Sequence, residues 1–319
     1  MVWSAPGPSA PAALGSGHAV PVQAESQGEF AGSSLAGTAL SAKLLRMTDK
    51  AEWEGRIGRS WASEWERTDR SFADLTPRLL AAIAGLAGED VVDIGCGAGE
   101  VSLAIAAARP AARVLGIDIS ADLVAAATIR ARGRPNCAFA LADAAAWEPD
   151  RGAPDLYVSR HGVMFFDDPV AAFAHLAAVA QARTRLCFSC FRAPAENPWA
   201  SGIAQLLPAG GPPPDPHAPG PFAFADAARV RGILERAGWR DVAFAAHDVR
   251  YLAGRGADPV ADALDFFGHI GPAARAMRDL PETERPAFQA RLRDFVAAHR
   301  RGDEVAFDAA IWIVTAAKA

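Results

Sequence analysis

The segment VVDIGCGAGE, Val91–Glu100, carries the residues best suited to ligand chemistry. An apolar run enters Gly95, Gly97 and Gly99 and passes directly into a helical pattern. Glycine lets a backbone turn sharply and approach a ligand without Cβ clashes. The free N–H groups of a helix start can bind a carboxylate or phosphate. Such a turn alone is common to many nucleotide binders, but two further acids sharpen it. Asp118 closes VLGIDIS (114–120), about twenty residues after the glycines, where an acid can accept ribose hydroxyls. Asp143 closes FALADA (139–144), and Asp93 lies just inside the first apolar run. Each could cap a turn; together, at successive strand ends, they face one crevice at the carboxyl edge of an open sheet. The dinucleotide fingerprint Gly-x-Gly-x-x-Gly is not met, because Glu100 stands at its third position and Gly99 comes one residue early. Asp93 and Glu100 would repel a pyrophosphate and suit a ligand carrying an ammonium and a sulfonium.

The elements that must hold these residues read as an α/β alternation. Strand-like runs fall at 90–95, 112–119, 137–143, 154–160 and 184–191, with helical stretches near 99–108, 121–132 and 169–181 and a short one at 144–148. That order implies a parallel, doubly wound sheet with helices on both faces. Asp168 can cap the helix that Pro169 opens. Before the sheet, Trp53, Ile57, Trp61 and Trp65 recur every fourth residue and predict one helix over 49–72, followed by another over 74–86. After it, residues 208–222 carry seven Pro and exclude a central strand. A helix (225–237), Gly238 as its stop, a strand (241–246), a helical region (257–300) and a last strand (306–316) complete the chain.

At this point the chain resembles the class I S-adenosylmethionine (SAM)-dependent methyltransferases, and among them the bacterial group allied to ubiquinone/menaquinone biosynthesis. VVDIGCGAGE, VLGIDIS and FALADA are similar to that family's first three strand motifs, and SRHGVMFFDDP (159–169) to its segment after strand four. The AQART stretch at 180–184 departs from a Pro-Gly-Gly turn common there. The resemblance implies a Rossmann-like, seven-stranded sheet with an antiparallel last strand, and SAM as cofactor. It implies that Asp93, Gly95 and Gly97 hold the amino-acid part, Asp118 with Ile119 the ribose, and Asp143 with the Ala144 amide the adenine. Ser159, Arg160 and His161 would lie beside the cofactor. A helical lid (47–86) and an insertion (about 250–302) would form the acceptor pocket, with Trp61, Phe165, Phe267 and His269 as lining candidates and Tyr251 beside them.

In such a transfer a nucleophile displaces neutral S-adenosylhomocysteine, and an oxygen or ring-carbon acceptor must lose a proton. His161, closing the fourth strand, is the best-placed base; a neutral imidazole packed near the adenine edge is the alternative. The aromatic, low-charge character of lid and insertion favours a moderately apolar acceptor, phenolic or quinone-like. Two other readings stay open: a SAM-binding module without turnover, and an NAD(P)-dependent oxidoreductase using the same turn.

Composition bounds the rest. The 319 residues have a formal charge of −5 with 22% charged residues, so no basic field points to a nucleic-acid partner. A small-molecule substrate is expected instead. No apolar run approaches the roughly 20 residues of a membrane span. Four Cys make no disulfide framework and fit the cytoplasm. Cys187 and Cys190 lie three apart in an apolar strand and face opposite sides, so no metal site is expected. Asn197-Pro198-Trp199 differs in place and in proline count from the motif of amino-group DNA methyltransferases. Residues 1–46, rich in Ala, Gly, Pro and Ser, predict a disordered extension before a domain over 47–319, with Met47 as an alternative start.

Overall fold

The computed structural model describes residues 50–150, 152–207 and 215–319. The expected disordered extension, the first lid residues and part of the proline-rich loop lie outside them. Five parallel strands run as expected: β1 (Asp90–Ile94), β2 (Arg113–Asp118), β3 (Cys137–Leu141), β4 (Leu156–Arg160) and β5 (Arg185–Phe191). Two long strands follow, β6 (Trp239–Arg255) and β8 (Glu304–Lys318), with a two-residue β7 (Arg300–Arg301) turning into β8. The sheet order is β3-β2-β1-β4-β5-β8-β6, and β8 pairs antiparallel with both its neighbours. The antiparallel last strand thus sits between β5 and β6. Order reverses between β1 and β4, and this reversal opens the crevice where such sheets bind ligands.

Helices cover both faces. These are α4 (Leu75–Ala84), α5 (Glu100–Ala108), α6 (Ala121–Arg130), α7 (Pro169–Val179) and α9 (Ala227–Arg236), with α8 (Pro198–Gln205) near the rim. The core is continuous across them: Leu79, Ile83, Ile117, Tyr157, Phe173, Phe188 and Leu234 are fully enclosed. Local signals account for several starts. Asp168 Oδ1 accepts from the Ala171 amide at 3.0 Å, and Ser120 Oγ from Leu123 at 3.4 Å. Gly238, with φ +84°, ends α9.

Three expectations need correction. The helix expected over 49–72 is three short ones, α1 (Lys50–Glu54), α2 (Arg56–Ser63) and α3 (Trp65–Ser71), broken at Gly55 and Glu64. The breaks let each segment turn its Trp toward the sheet rim. A Cβ on Gly58 of α2 would collide with the Ser120 side chain, so this glycine lets the N-terminal helices dock on the β2–α6 junction. The helix expected at 144–148 is a turn, in which the Ala145 amide bonds Asp143 Oδ1 at 2.9 Å. Strand β6 is seventeen residues long rather than six, because its ladder with β8 continues from Asp248↔Ala310 to Arg255↔Glu304. The helices between the last strands therefore begin at Pro259: α10 (Pro259–His269), α11 (Gly271–Asp279) and α12 (Arg285–Ala298).

Candidate active site

One cavity of about 450 Å³ lies over the carboxyl edge of the sheet. Its floor begins at the glycine turn. Gly95 and Gly97 have φ of +62° and +55°, a left-handed backbone that L side chains adopt at a cost. A Cβ at Gly95 would come within 2.8 Å of the Gly162 Cα, whereas one at Gly97 would meet nothing within 4 Å. The first glycine therefore packs the β1 loop against the β4 loop, and the second leaves backbone open to a ligand.

The three acids converge as expected: Asp93, Asp118 and Asp143 all line the cavity, as do Ile119 and Ala144. Asp93 is buried; its Oδ2 accepts from Ser102 Oγ at 2.6 Å, while Oδ1 has no partner. Burial lifts its carboxyl to about 7, against the pull of Ser102 and Arg160. Asp118 accepts the Gly97 amide at 2.9 Å on one oxygen and the Ser120 amide at 2.9 Å on the other. Burial raises this carboxyl too, and those amides oppose the rise. At the far end, Lys50 of α1 donates to Asp143 at 2.6 Å. Burial alone would raise Asp143, but Lys50 and the Ala145 amide hold it below its ordinary value.

Arg160 enters the cavity wall as part of an ion network. It meets Glu100, reaches Asp69 of α3 at 3.5 Å and donates to Thr76 at 2.8 Å. Asp69 also pairs with Arg130 at 2.7 Å, and that guanidinium lies 3.8 Å from the Trp65 ring centroid. The network ties the N-terminal helices to the sheet rim. It also alters one sequence argument: Glu100 is neutralised by Arg160, and burial with Asp69 raises its carboxyl. The charge expected to repel a pyrophosphate there is thus spent within the protein.

Not every expected residue reaches the cavity. Ser159 is fully enclosed; its hydroxyl donates to the Ile94 carbonyl at 2.7 Å and accepts the Gly162 amide at 3.1 Å, so it ties β1 to the β4 loop. His269, at the end of α10, is half exposed and bonded to the Asp265 carbonyl at 2.9 Å; Ile270, Gly271 and Pro272 line the cavity instead. Trp61, Phe165 and Phe267 are lining residues. Trp53 stands 5.5 Å from Trp61 and 5.1 Å from Phe165, giving one ring cluster between α1, α2 and the segment after β4.

His161 lines the cavity, but its surroundings do not suit a base. Its ring stacks on Phe191 at 4.1 Å and 11°, with Phe72 at 5.2 Å. Neither ring nitrogen has a partner, and burial, aided by Arg160, drives its conjugate acid down to about 3. So weak a base holds a proton poorly near neutral pH. Enclosure without a proton partner favours a neutral, packed imidazole over a base. A second ring cluster, which sequence periodicity did not reveal, surrounds it. Phe191 lies 5.0 Å from Trp199, and Trp199 stacks on Tyr251 at 4.9 Å and 16°. Tyr251 arrives on the unexpected extension of β6. The alternation of Val249 and Tyr251 with Asp248 and Arg250 was the sequence signal available for it.

Residues 91–182 match a family described as a methyltransferase domain. A trans-aconitate 2-methyltransferase of Methylobacterium radiotolerans is 41% identical over 105 residues, 33% of this chain and 37% of that protein. One of Klebsiella pneumoniae is 39% identical over 113 residues, 35% and 41%. The match thus spans about two fifths of each relative's length. Among solved structures, magnesium protoporphyrin IX methyltransferase of Synechocystis superposes with a TM-score of 0.47 at 17% identity, covering 85% of this chain and 98% of that one. Residues 91–182 of this chain thus resemble a methyltransferase domain, and their glycine turn and three strand-end acids gather on one cavity.

Proposed function

We propose that the protein transfers the methyl group of SAM to a small, moderately apolar organic acceptor. The observation that carries this reading is that one cavity runs from Gly97, Asp118 and Asp143 to Phe191, Tyr251 and Phe267. The residues present fit the nucleoside. Gly97 presents open backbone, and Asp93 Oδ1, buried without a partner, faces the need for a donor such as an ammonium. Asp118 would take the ribose hydroxyls on the lone pairs its two amides leave free. Asp143 and Ala144 would flank the adenine.

Bound SAM supplies an already activated methyl group. The chain's own work is alignment and water exclusion, an effect worth roughly 7–11 kcal/mol when reactants are well oriented. Helices α1–α4 act as the lid: Trp53, Trp61 and Phe72 close the cavity, and the Asp69–Arg130–Arg160 network holds α3 in place. The helices α10–α12 supply the opposite wall through Phe267 and Ile270. Among the described lining residues the cations are Lys50 and Arg160, both already ion-paired. A polyanionic acceptor would find no spare charge in that lining, which supports an apolar one. The four cysteines are buried free thiols, in keeping with a reducing, cytoplasmic setting. Among the described residues no helix is long and apolar enough to cross a membrane.

Calorimetry with SAM, S-adenosylhomocysteine and NAD, followed by transfer of labelled methyl to a panel of neutral aromatic and carboxylate acceptors, tests the reading. Binding of both sulfur nucleosides and labelling of a neutral acceptor are expected. NAD binding without SAM binding would overturn it, and SAM binding without any labelling would leave a non-catalytic module.

A further inference from the structure

Hydrogen-bonding groups left unmet inside a protein are few and each is costly, roughly 1–3 kcal/mol. Among the described residues, four of seven such side chains lie at one place. Of the buried side chains with an unpartnered polar atom, Trp53, Thr68, Asp93 and His161 all line the cavity. Asp93 belongs to the glycine turn and Trp53 to the ring cluster with Trp61 and Phe165. Thr68 and His161 remain, and the site as described gives neither a task. Thr68 stands on α3 one turn before Phe72, and Phe72 packs on the His161 ring at 5.2 Å.

We infer that Thr68 and His161 are the polar specificity pair of the acceptor half, taking a neutral hydroxyl of a flat acceptor whose ring lies among Phe191, Trp199 and Tyr251. The inference rests on the methyl-transfer reading and deepens it. A neutral imidazole offers one donor and one acceptor, and a threonine hydroxyl offers both. A ligand hydroxyl, which also donates and accepts, can satisfy the pair; a carboxylate only accepts and would leave the imine nitrogen unmet. The backbone also holds His161 on purpose: it sits at φ +63°, and its amide donates to the Ser189 carbonyl at 3.2 Å. Non-glycine residues in that region persist where the surrounding structure enforces them. Both ring nitrogens are enclosed, so a ligand reaches them by displacing a neighbouring ring. Phe72, which follows the seven-residue α3 and packs on the His161 ring at 5.2 Å, is the ring that would have to move. His161 and Thr68 thus act as positioning residues rather than as proton carriers.

Equilibrium dialysis of the full chain saturated with S-adenosylhomocysteine, using 2-naphthol and naphthalene as probes, tests this. The wild type is expected to prefer 2-naphthol by roughly tenfold, the worth of one neutral hydrogen bond into a site that otherwise leaves its partner unmet. His161→Phe keeps the ring stack and Thr68→Val keeps the shape. Each should erase most of that preference while leaving naphthalene affinity within about twofold, whereas a merely structural role would weaken both probes alike. If His161→Phe does not fold, Thr68→Val decides. Equal binding of the two probes by the wild type, or a preference that survives in the variants, overturns the inference. Failure of S-adenosylhomocysteine to bind the wild type overturns the methyl-transfer reading itself, and the two failures are thereby distinguished.

Discussion

Asp93 should cost the empty protein stability in return for ligand binding. Burial raises its carboxyl from 3.8 to about 7, because only Ser102 bonds it and the second oxygen has no partner. The folded protein then holds this proton more tightly than the unfolded chain, so stability falls as pH rises from about 4 to about 7 and levels off above that. A difference of about three units corresponds to roughly 4 kcal/mol at pH 8. Asp93→Asn mimics the protonated acid and removes this cost. Urea denaturation at pH 5 and pH 8 measures it: even 2 kcal/mol moves the midpoint by about 1 M. The wild type should lose stability between the two pH values, and the variant should not lose that part. If the carboxylate faces the ammonium of the ligand, Asp93→Asn should also weaken S-adenosylhomocysteine binding by roughly 10–100-fold, as expected for a bond to a charged group. A variant less stable than the wild type at pH 8, or one that binds the nucleoside unchanged, would refute this account.

Asp118→Ala strands the Gly97 and Ser120 amides at roughly 1–3 kcal/mol each and removes the proposed ribose contact. Calorimetry should find S-adenosylhomocysteine binding nearly abolished, while far-UV circular dichroism still reports a folded α/β protein. Gly95→Ala places a methyl 2.8 Å from the Gly162 backbone at a φ of +62°. It should lower stability by about 2 kcal/mol or more in a thermal melt and weaken nucleoside binding. Gly97→Ala, with open space around it, should be milder on stability.

Much of the sheet and the nucleoside half of the site could be read in the chain, because both are local. A strand entering glycines, and an acid at the end of each following strand, are contiguous patterns that any doubly wound sheet delivers to the same edge. The helix starts at Ser120 and Asp168 were legible for the same reason: a cap acts within a few residues of itself. The single long N-terminal helix was misread because the spacing of its Trp residues is helical, while the segments broken at Gly55 and Glu64 dock through Gly58 against Ser120 and Arg67 against Asp265. The aromatic half of the cavity was decided by tertiary structure. His161, Phe191, Trp199 and Tyr251 come from four separate stretches and meet only once β8 inserts between β5 and β6 and the β6–β8 ladder overruns the sheet. Protonation was decided there as well. His161 and Asp93 carry ordinary side chains in the sequence, and it is enclosure, with no partner for the imidazole and only Ser102 for the carboxyl, that pushes the one down and the other up.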